Sequence, residues 1–257
     1  MKHKRVTVFF ILVIMLLAFL SFFTVVEIKY FVFVGFLWFL VVFWGSAFIG
    51  SNYHVQAYCG NPSETEKKIA LTFDDGPHEM TLLVLDILRK HNVKATFFCI
   101  GKNIETHPDI LRKTIEEGHT VGNHSYSHSP FFDFYRKKQV LAEIQQTDAL
   151  IESVLGKKTT LFRPPYGVTN PSIRQALAIT MHKTIGWNIR SLDGVVKKED
   201  FLLDRIIKRI KPGGIVLLHD TSIQTLHVLE QLLSFLQKNN YTVVPLEELL
   251  NIKAYEN

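Results

Sequence analysis

The chain has 257 residues, 29 Lys and Arg against 24 Asp and Glu, and only two cysteines. Lys2, Lys4, Arg5 and Lys29 against Glu27 supply +3 of the +5 net charge within the first fifty positions, and no basic run is interleaved with aromatics, so composition argues against a nucleic-acid-binding surface. Cys59 stands in a polar connecting segment and Cys99 in an apolar strand-like run, contexts too unlike for a disulfide framework.

Residues 6–26 and 30–50 are two apolar runs separated only by Glu27, Ile28 and Lys29. At 1.5 Å per residue each spans roughly 30 Å, the hydrocarbon thickness of a bilayer, and their aromatics form no stripe, as suits helices surrounded by lipid. Residues 1–50 are therefore expected to be a two-helix transmembrane hairpin. A cleavable signal peptide fits less well, because the first run is long and no small-x-small site follows it. Residues 51–66, polar and carrying Gly60, Asn61 and Pro62, read as a linker into one domain over 67–257, and roughly two hundred residues suffice for a full core.

From residue 67 onward, short apolar β-rich runs alternate with amphipathic ones. A strand over 69–73 delivers Asp74 and Asp75 and is stopped by Gly76-Pro77; a helix over 82–91, a strand over 95–100, a helix over 109–117 and a strand over 119–122 follow. His124-Ser125-Tyr126-Ser127-His128 comes next, then a helix over 138–155 and the strand-like Thr160-Leu161-Phe162, which runs into Arg163-Pro164-Pro165-Tyr166-Gly167. Further on are a helix over 172–178, a strand over 183–187 leading towards Asp193, a helix over 198–210, and a strand over 215–218 that delivers His219. A helix over 226–238 and a strand over 241–245 end the series. Repeated βα units predict a parallel sheet with helices outside, either a barrel or doubly wound, and polar groups collected at strand C-termini favour a barrel mouth.

The chemistry can be argued from residue types. Adjacent side chains on an extended backbone point to opposite sides, so Asp74 and Asp75 should divide their work, one ligating and one not. His124 and His128, on one helical face or converging from a tight loop, complete with one aspartate a two-histidine, one-carboxylate set. Such a set leaves coordination positions open for water and substrate. It suits Zn2+ best, with Co2+, Ni2+ or Fe2+ as alternatives. Asp193 could pair with a buried arginine. Singly, each motif is as readily an ordinary turn; together, and in this order, they carry more weight.

These five segments resemble the polysaccharide deacetylases of carbohydrate esterase family 4, the NodB homology domain, over roughly residues 67–250. The resemblance implies a distorted, incomplete (β/α) barrel. It implies Asp75, His124 and His128 as metal ligands, Asp74 as general base, Arg163 as the residue orienting that base, and Asp193 as the partner of the arginine. Tyr166 would supply an oxyanion-hole N–H, His219 the general acid, and Leu217 part of the acetyl pocket. Gly194 departs from the family, many of whose members have a tryptophan there, which leaves the acyl group open, and Arg190 stands where several members have an acid.

The implied reaction is removal of N-acetyl groups from amino sugars of a cell-envelope polysaccharide, peptidoglycan- or chitin-like. Asp220, next in sequence to His219, is the nearest acid to favour its imidazolium form. Two other functions use the same residues differently: a deacetylase or deformylase of a lipid-linked or small saccharide, and a catalytically silent glycan-binding membrane protein. The expected location is the cell membrane, with the domain on the outer side, although Lys2, Lys4 and Arg5 by themselves favour a cytoplasmic N-terminus.

Overall fold

The computed structural model, which describes residues 2–256, begins with two apolar helices, α1 (Lys2–Leu20) and α2 (Ile28–Ala47). Both start and stop a few residues before the expected runs, and the turn between them takes in residues 21–27. Most of their large apolar side chains are exposed; Phe9 is 60 % and Phe39 61 % exposed. Helices satisfy their own backbone groups, so such an apolar pair is compatible with lipid in a way that an exposed strand would not be.

The other elements, in chain order, are β1 (Ala57–Tyr58), β2 (Lys68–Asp74), α3 (Glu79–Lys90), β3 (Thr96–Cys99), α4 (Gly101–Thr106) and α5 (Pro108–Glu116). Then come β4 (Thr120–Asn123), α6 (Lys137–Leu155), β5 (Leu161–Phe162), α7 (Pro171–Thr180), β6 (Lys183–Ile185) and β7 (Ile189–Arg190). The chain ends with α8 (Glu199–Ile207), β8 (Gly214–His219), α9 (Ile223–Lys238), β9 (Thr242–Val243) and α10 (Leu246–Leu250). The expected βα alternation is present, with every strand pair parallel. Strand order is β1-β6-β5-β4-β3-β2-β8-β7, with β9 beside the start of β2. The sheet curls but does not close, since β1 and β7 are its two edges: this is the incomplete barrel, not the doubly wound alternative.

Segment 51–66 is more than a tether. Ala57 and Tyr58 pair with Thr184 and Ile185 of β6, Gly60 bridges to Gly214, and Tyr53 and His54 are buried. The segment reads in sequence as a linker because it is polar and rich in turn residues; in the fold, Ala57 and Tyr58 add a two-residue strand to the edge of β6.

Central β2 shows how the fold makes the site. Its residues are buried on both faces, as a parallel strand covered by helices on one side and barrel interior on the other must be. Ile69, Leu71 and Phe73 belong to the cluster shared with α3, α8 and α9, where Phe73 stacks on Phe97 at 5.0 Å between ring centres. Ala70 belongs to the interior cluster with Phe98, Leu161, Ile185 and Ile215, closed from below by Leu246 and Leu249 of α10. The two-residue period that puts Ala70 inside puts Thr72 and Asp74 inside as well, and the strand ends with a carboxylate at the mouth of the barrel.

Candidate metal centre and catalytic pocket

Asp74 is 3 % exposed, and its Oδ1 accepts from Arg163 Nη1 at 2.7 Å. Arg163, wholly buried at the end of β5, spends its remaining donors on Thr72 Oγ1 (2.9 Å) and the carbonyls of Ile185 and Gly186 (3.3 and 3.0 Å), and its guanidinium lies 4.1 Å from the Phe98 ring centre. Burial raises the pKa of Asp74 above the usual carboxylate value, and the Arg163 charge and hydrogen bond oppose that rise.

Asp75 is set apart from Asp74 by more than the pleat of a strand. It has φ 77°, a left-handed conformation that aspartate tolerates better than most side chains, so the backbone swings as it leaves β2. Its Oδ1 is buried without a hydrogen-bond partner and lies 3.6 Å from both His124 Nε2 and His128 Nε2. The histidines converge from a loop rather than a helix, with Ser125 at φ 64° and His128 at φ 45°. Glu143 of α6 holds that loop by accepting from the Tyr126 and Ser127 amides and the Ser127 hydroxyl.

Whether this set fits a metal can be tested on its own geometry. The three ligand atoms lie within 4.8 Å of one another, and ligands about 2.1 Å from a tetrahedral ion stand roughly 3.4 Å apart. His124 Nδ1 donates to the Arg163 carbonyl at 2.7 Å, which leaves Nε2 with its lone pair facing Asp75. Burial lowers the His124 pKa to about 3, so the ring is neutral, as a ligand must be. An orphaned buried carboxylate oxygen, a neutral His124 ring and matching spacing all fit a divalent cation.

On the other side of Asp74, β8 pairs with β2 in the register Asp74↔His219. His219 Nδ1 lies 2.7 Å from Asp193 Oδ1, and the Asp193 carboxylate also accepts from the His219 amide and from Thr225 and Ser191. Burial alone would lower the His219 pKa, but the hydrogen bond and charge of Asp193, reinforced by Asp74 and Asp75, raise it to about 9. Burial would raise Asp193, and its hydrogen bonds from His219, Thr225 and Ser191 bring it below the usual carboxylate value.

Two expectations are corrected here. Asp193 is the partner of His219 and not of Arg163, whose carboxylate partner is Asp74. The chain after β7 turns under β8, whereas Arg163 enters from β5 on the far side of β2. Asp220 is not the acid beside His219. Its carboxylate turns the other way, accepts from Thr81, and packs where a side chain at Gly76 would be, 2.2 Å from a Cβ there. Burial raises Asp220 to about 7.

Tyr166 adopts φ 58° within the turn after Pro164 and Pro165, and its ring meets that of His128 at 4.7 Å. Leu217, 2 % exposed, shares the face of β8 that carries His219. At Gly194 an added Cβ would meet only His219 Nδ1, at 3.9 Å, so the space beside the histidine is open. Asp75, Asp193, Gly194 and His219 line one cavity of about 610 Å3. Thr72 and Glu143, which hold Arg163 and the histidine loop, went unnoticed in the sequence. Each reads there as a routine strand or helix residue, and only the packing reveals its partner.

Comparison with known proteins agrees with this geometry. Residues 61–184 match the polysaccharide deacetylase family. The chain is 34 % identical over 192 residues to the peptidoglycan-N-acetylglucosamine deacetylase PgdA of Listeria monocytogenes, covering 74 % of this chain but only 40 % of that protein. It is 32 % identical over 198 residues to the peptidoglycan-N-acetylmuramic acid deacetylase PdaA of Bacillus subtilis, covering 75 % of this chain and 74 % of the relative. Among solved structures, that of the Bc1960 peptidoglycan N-acetylglucosamine deacetylase superposes with a TM-score of 0.72 at 27 % identity, covering 77 % of this chain and 94 % of the other. Fold, ordered motifs and relatives of matching extent agree: the chain belongs to the polysaccharide deacetylase family.

Proposed function

We propose that the protein is a metal-dependent hydrolase that removes N-acetyl groups from amino-sugar residues of a cell-envelope polysaccharide, anchored by α1 and α2 in the cell membrane. The observation that carries this is the pairing of opposites across one strand register. Asp74, held by Arg163, stands opposite His219, held by Asp193, with the Asp75-His124-His128 set beside them. Amide hydrolysis needs a base and an acid at one pH: Asp193 holds His219 in its imidazolium form, and Arg163 opposes the rise in pKa that burial imposes on Asp74.

Asp75, His124 and His128 would hold the ion, which when bound supplies positive charge to polarise the acetamido carbonyl and acidify a water. Zn2+ suits two imidazoles and a carboxylate, and so do Co2+, Ni2+ and Fe2+. Asp74 takes the proton of the attacking water, and Arg163 keeps its carboxylate oriented. The Tyr166 N–H stabilises the developing oxyanion. His219 protonates the departing amine, and Leu217 contacts the acetyl methyl. The test is acetate release from N-acetylglucosamine oligomers and peptidoglycan by the purified full chain, before and after chelation. No acetate from either glycan would overturn the reading.

A second substrate, a lipid-linked or short saccharide at the membrane surface, is favoured by one contact. The Thr169 amide, three residues beyond Tyr166, donates to the Ser46 carbonyl at the end of α2 (3.0 Å), so the rim of the pocket sits beside the apolar hairpin.

A further inference from the structure

Arg190 ends β7, an edge of the sheet, and lines the same cavity as Asp75, Asp193 and His219. Its register partner on β8 is Leu217, itself opposite Thr72, so Arg190 lies on the interior side of the curled sheet. The side chain is exposed, with its guanidinium 5.9 Å from the ring centre of Trp187. Arg205 of α8 donates from Nε to the Arg190 carbonyl (3.0 Å), and Arg209 donates from Nη1 to the Arg205 carbonyl (3.0 Å), so cations gather along this edge.

Among the described residues, none of these three guanidiniums forms an ion pair with a carboxylate. The acids that share the cavity are already engaged: Asp193 by His219, Ser191 and Thr225, and Asp75 in the three-ligand set. An arginine on an open surface is normally just solvated, but this one lines the cavity that also holds Asp75, Asp193 and His219. A planar, permanently charged fork in that place is built to receive an oxyanion bidentately.

We infer that Arg190, backed by the Arg205 charge, forms a subsite for an oxyanion, carboxylate or phosphate, carried on or next to the acetamido sugar. This deepens the deacetylase reading and rests on it for the turnover measurement. The experiment compares three glycans on the detergent-solubilised full chain: a neutral N-acetylglucosamine oligomer, an oligomer containing N-acetylmuramic acid with its lactyl carboxylate free, and a phosphate-linked N-acetylglucosamine. For each, kcat/KM is measured by acetate release, and Kd by calorimetry in an Asp74→Asn background where turnover is blocked.

Arg190→Gln should lower the anionic-to-neutral ratio of kcat/KM by roughly tenfold or more, mainly through KM, and weaken anionic Kd in proportion, the loss expected for one charge-assisted pair. Arg190→Lys should recover part of the ratio, and Arg205→Gln should move it in the same direction by less. The glycan with the larger ratio in wild type tells carboxylate from phosphate. Unchanged ratios in both measurements would overturn the subsite, as would equal losses on neutral and anionic glycans. Absence of acetate from all three would instead sink the deacetylase reading, while the Kd comparison would still decide the subsite.

Discussion

Asp74 and Asp75 are neighbours in sequence with opposite surroundings, one bonded to Arg163 and buried, the other with an unpartnered oxygen facing two imidazoles. Asp75→Ala should therefore strip the metal, while Asp74→Asn should retain it and abolish turnover. Metal analysis of the two purified variants checks this, and equal metal contents would contradict it. His219→Ala should lose about 10²-fold or more in activity with its metal retained. Asp193→Asn provides a sharper test, because the residue was expected to serve Arg163 and instead holds His219. His219 titrates at about 9, so the acid form is present through neutral pH and is lost as pH rises through 9. Removing the carboxylate that raises it should move the alkaline limb of the pH–rate profile downwards, towards the ordinary histidine value near 6.5. The same raised pKa means that the interaction stabilises the fold fully below about 6.5, and that this contribution fades as pH rises through 9. Asp220 was misassigned because proximity in sequence says nothing about which side of a strand end a carboxylate faces, and Asp193, given to Arg163 by resemblance, lies instead beside β8 with His219.

Thr72 links three strands at the level of elements. From β2 it donates to the Val216 carbonyl of β8 (2.7 Å) and accepts from Arg163, which enters from β5 (2.9 Å). Thr72→Val keeps the shape and leaves a buried arginine donor unpaired, which should destabilise by about 1–3 kcal/mol in denaturant melts and lower activity through a misplaced Asp74. The loop after β7 supports another prediction. Because nothing but His219 lies within 4 Å of a Cβ built at Gly194, wild type should accept acyl groups larger than acetyl, and Gly194→Trp should narrow that tolerance. Identical acyl selectivity in the two proteins would show that another side chain closes the pocket. The longer helices and buried strands were legible in the sequence, since α3, α6 and α9 have clear helical periods and β2 and β8 are apolar runs bounded by turn residues. β1, β7, α4 and α10 were not, because each is short, stands in a sequence without a marked apolar run of its own, and forms only where a neighbour supplies the partner.

The whole molecule joins an apolar hairpin to a barrel through a small polar junction. Lys2 Nζ donates to the Ser51 carbonyl, His54 Nε2 lies 3.0 Å from Ser46 Oγ, and the His3 and Tyr53 rings meet edge to face. Burial lowers His54 to about 4, so it sits there neutral, and a side chain at Gly45 would collide with the Tyr53 ring at 2.4 Å. We expect the barrel to lie outside the cytoplasmic membrane with both termini there, where envelope polysaccharide is found. Alkaline phosphatase fused after Asn257 should be active on that side. A fusion active only in the cytoplasm would reverse the topology, as the charges of Lys2, Lys4 and Arg5 would have it, and would favour a lipid-linked or cytosolic sugar.

Sequence alone determined the apolar pair at the N-terminus, the βα alternation and the presence of acids, histidines and an arginine at strand ends. Those features depend on hydrophobic period, run length and local turn chemistry, all of which are read along the chain. Only the tertiary structure decided which acid serves which base, that the supposed linker completes a sheet edge, and that Arg190 opens into the catalytic cavity. Pairing at a barrel mouth depends on strand order and on which way each chain turns as it leaves its strand. Those relations hold between residues from 26 to 145 positions apart, as for Asp193 and His219 or Asp74 and His219, and no local pattern encodes them.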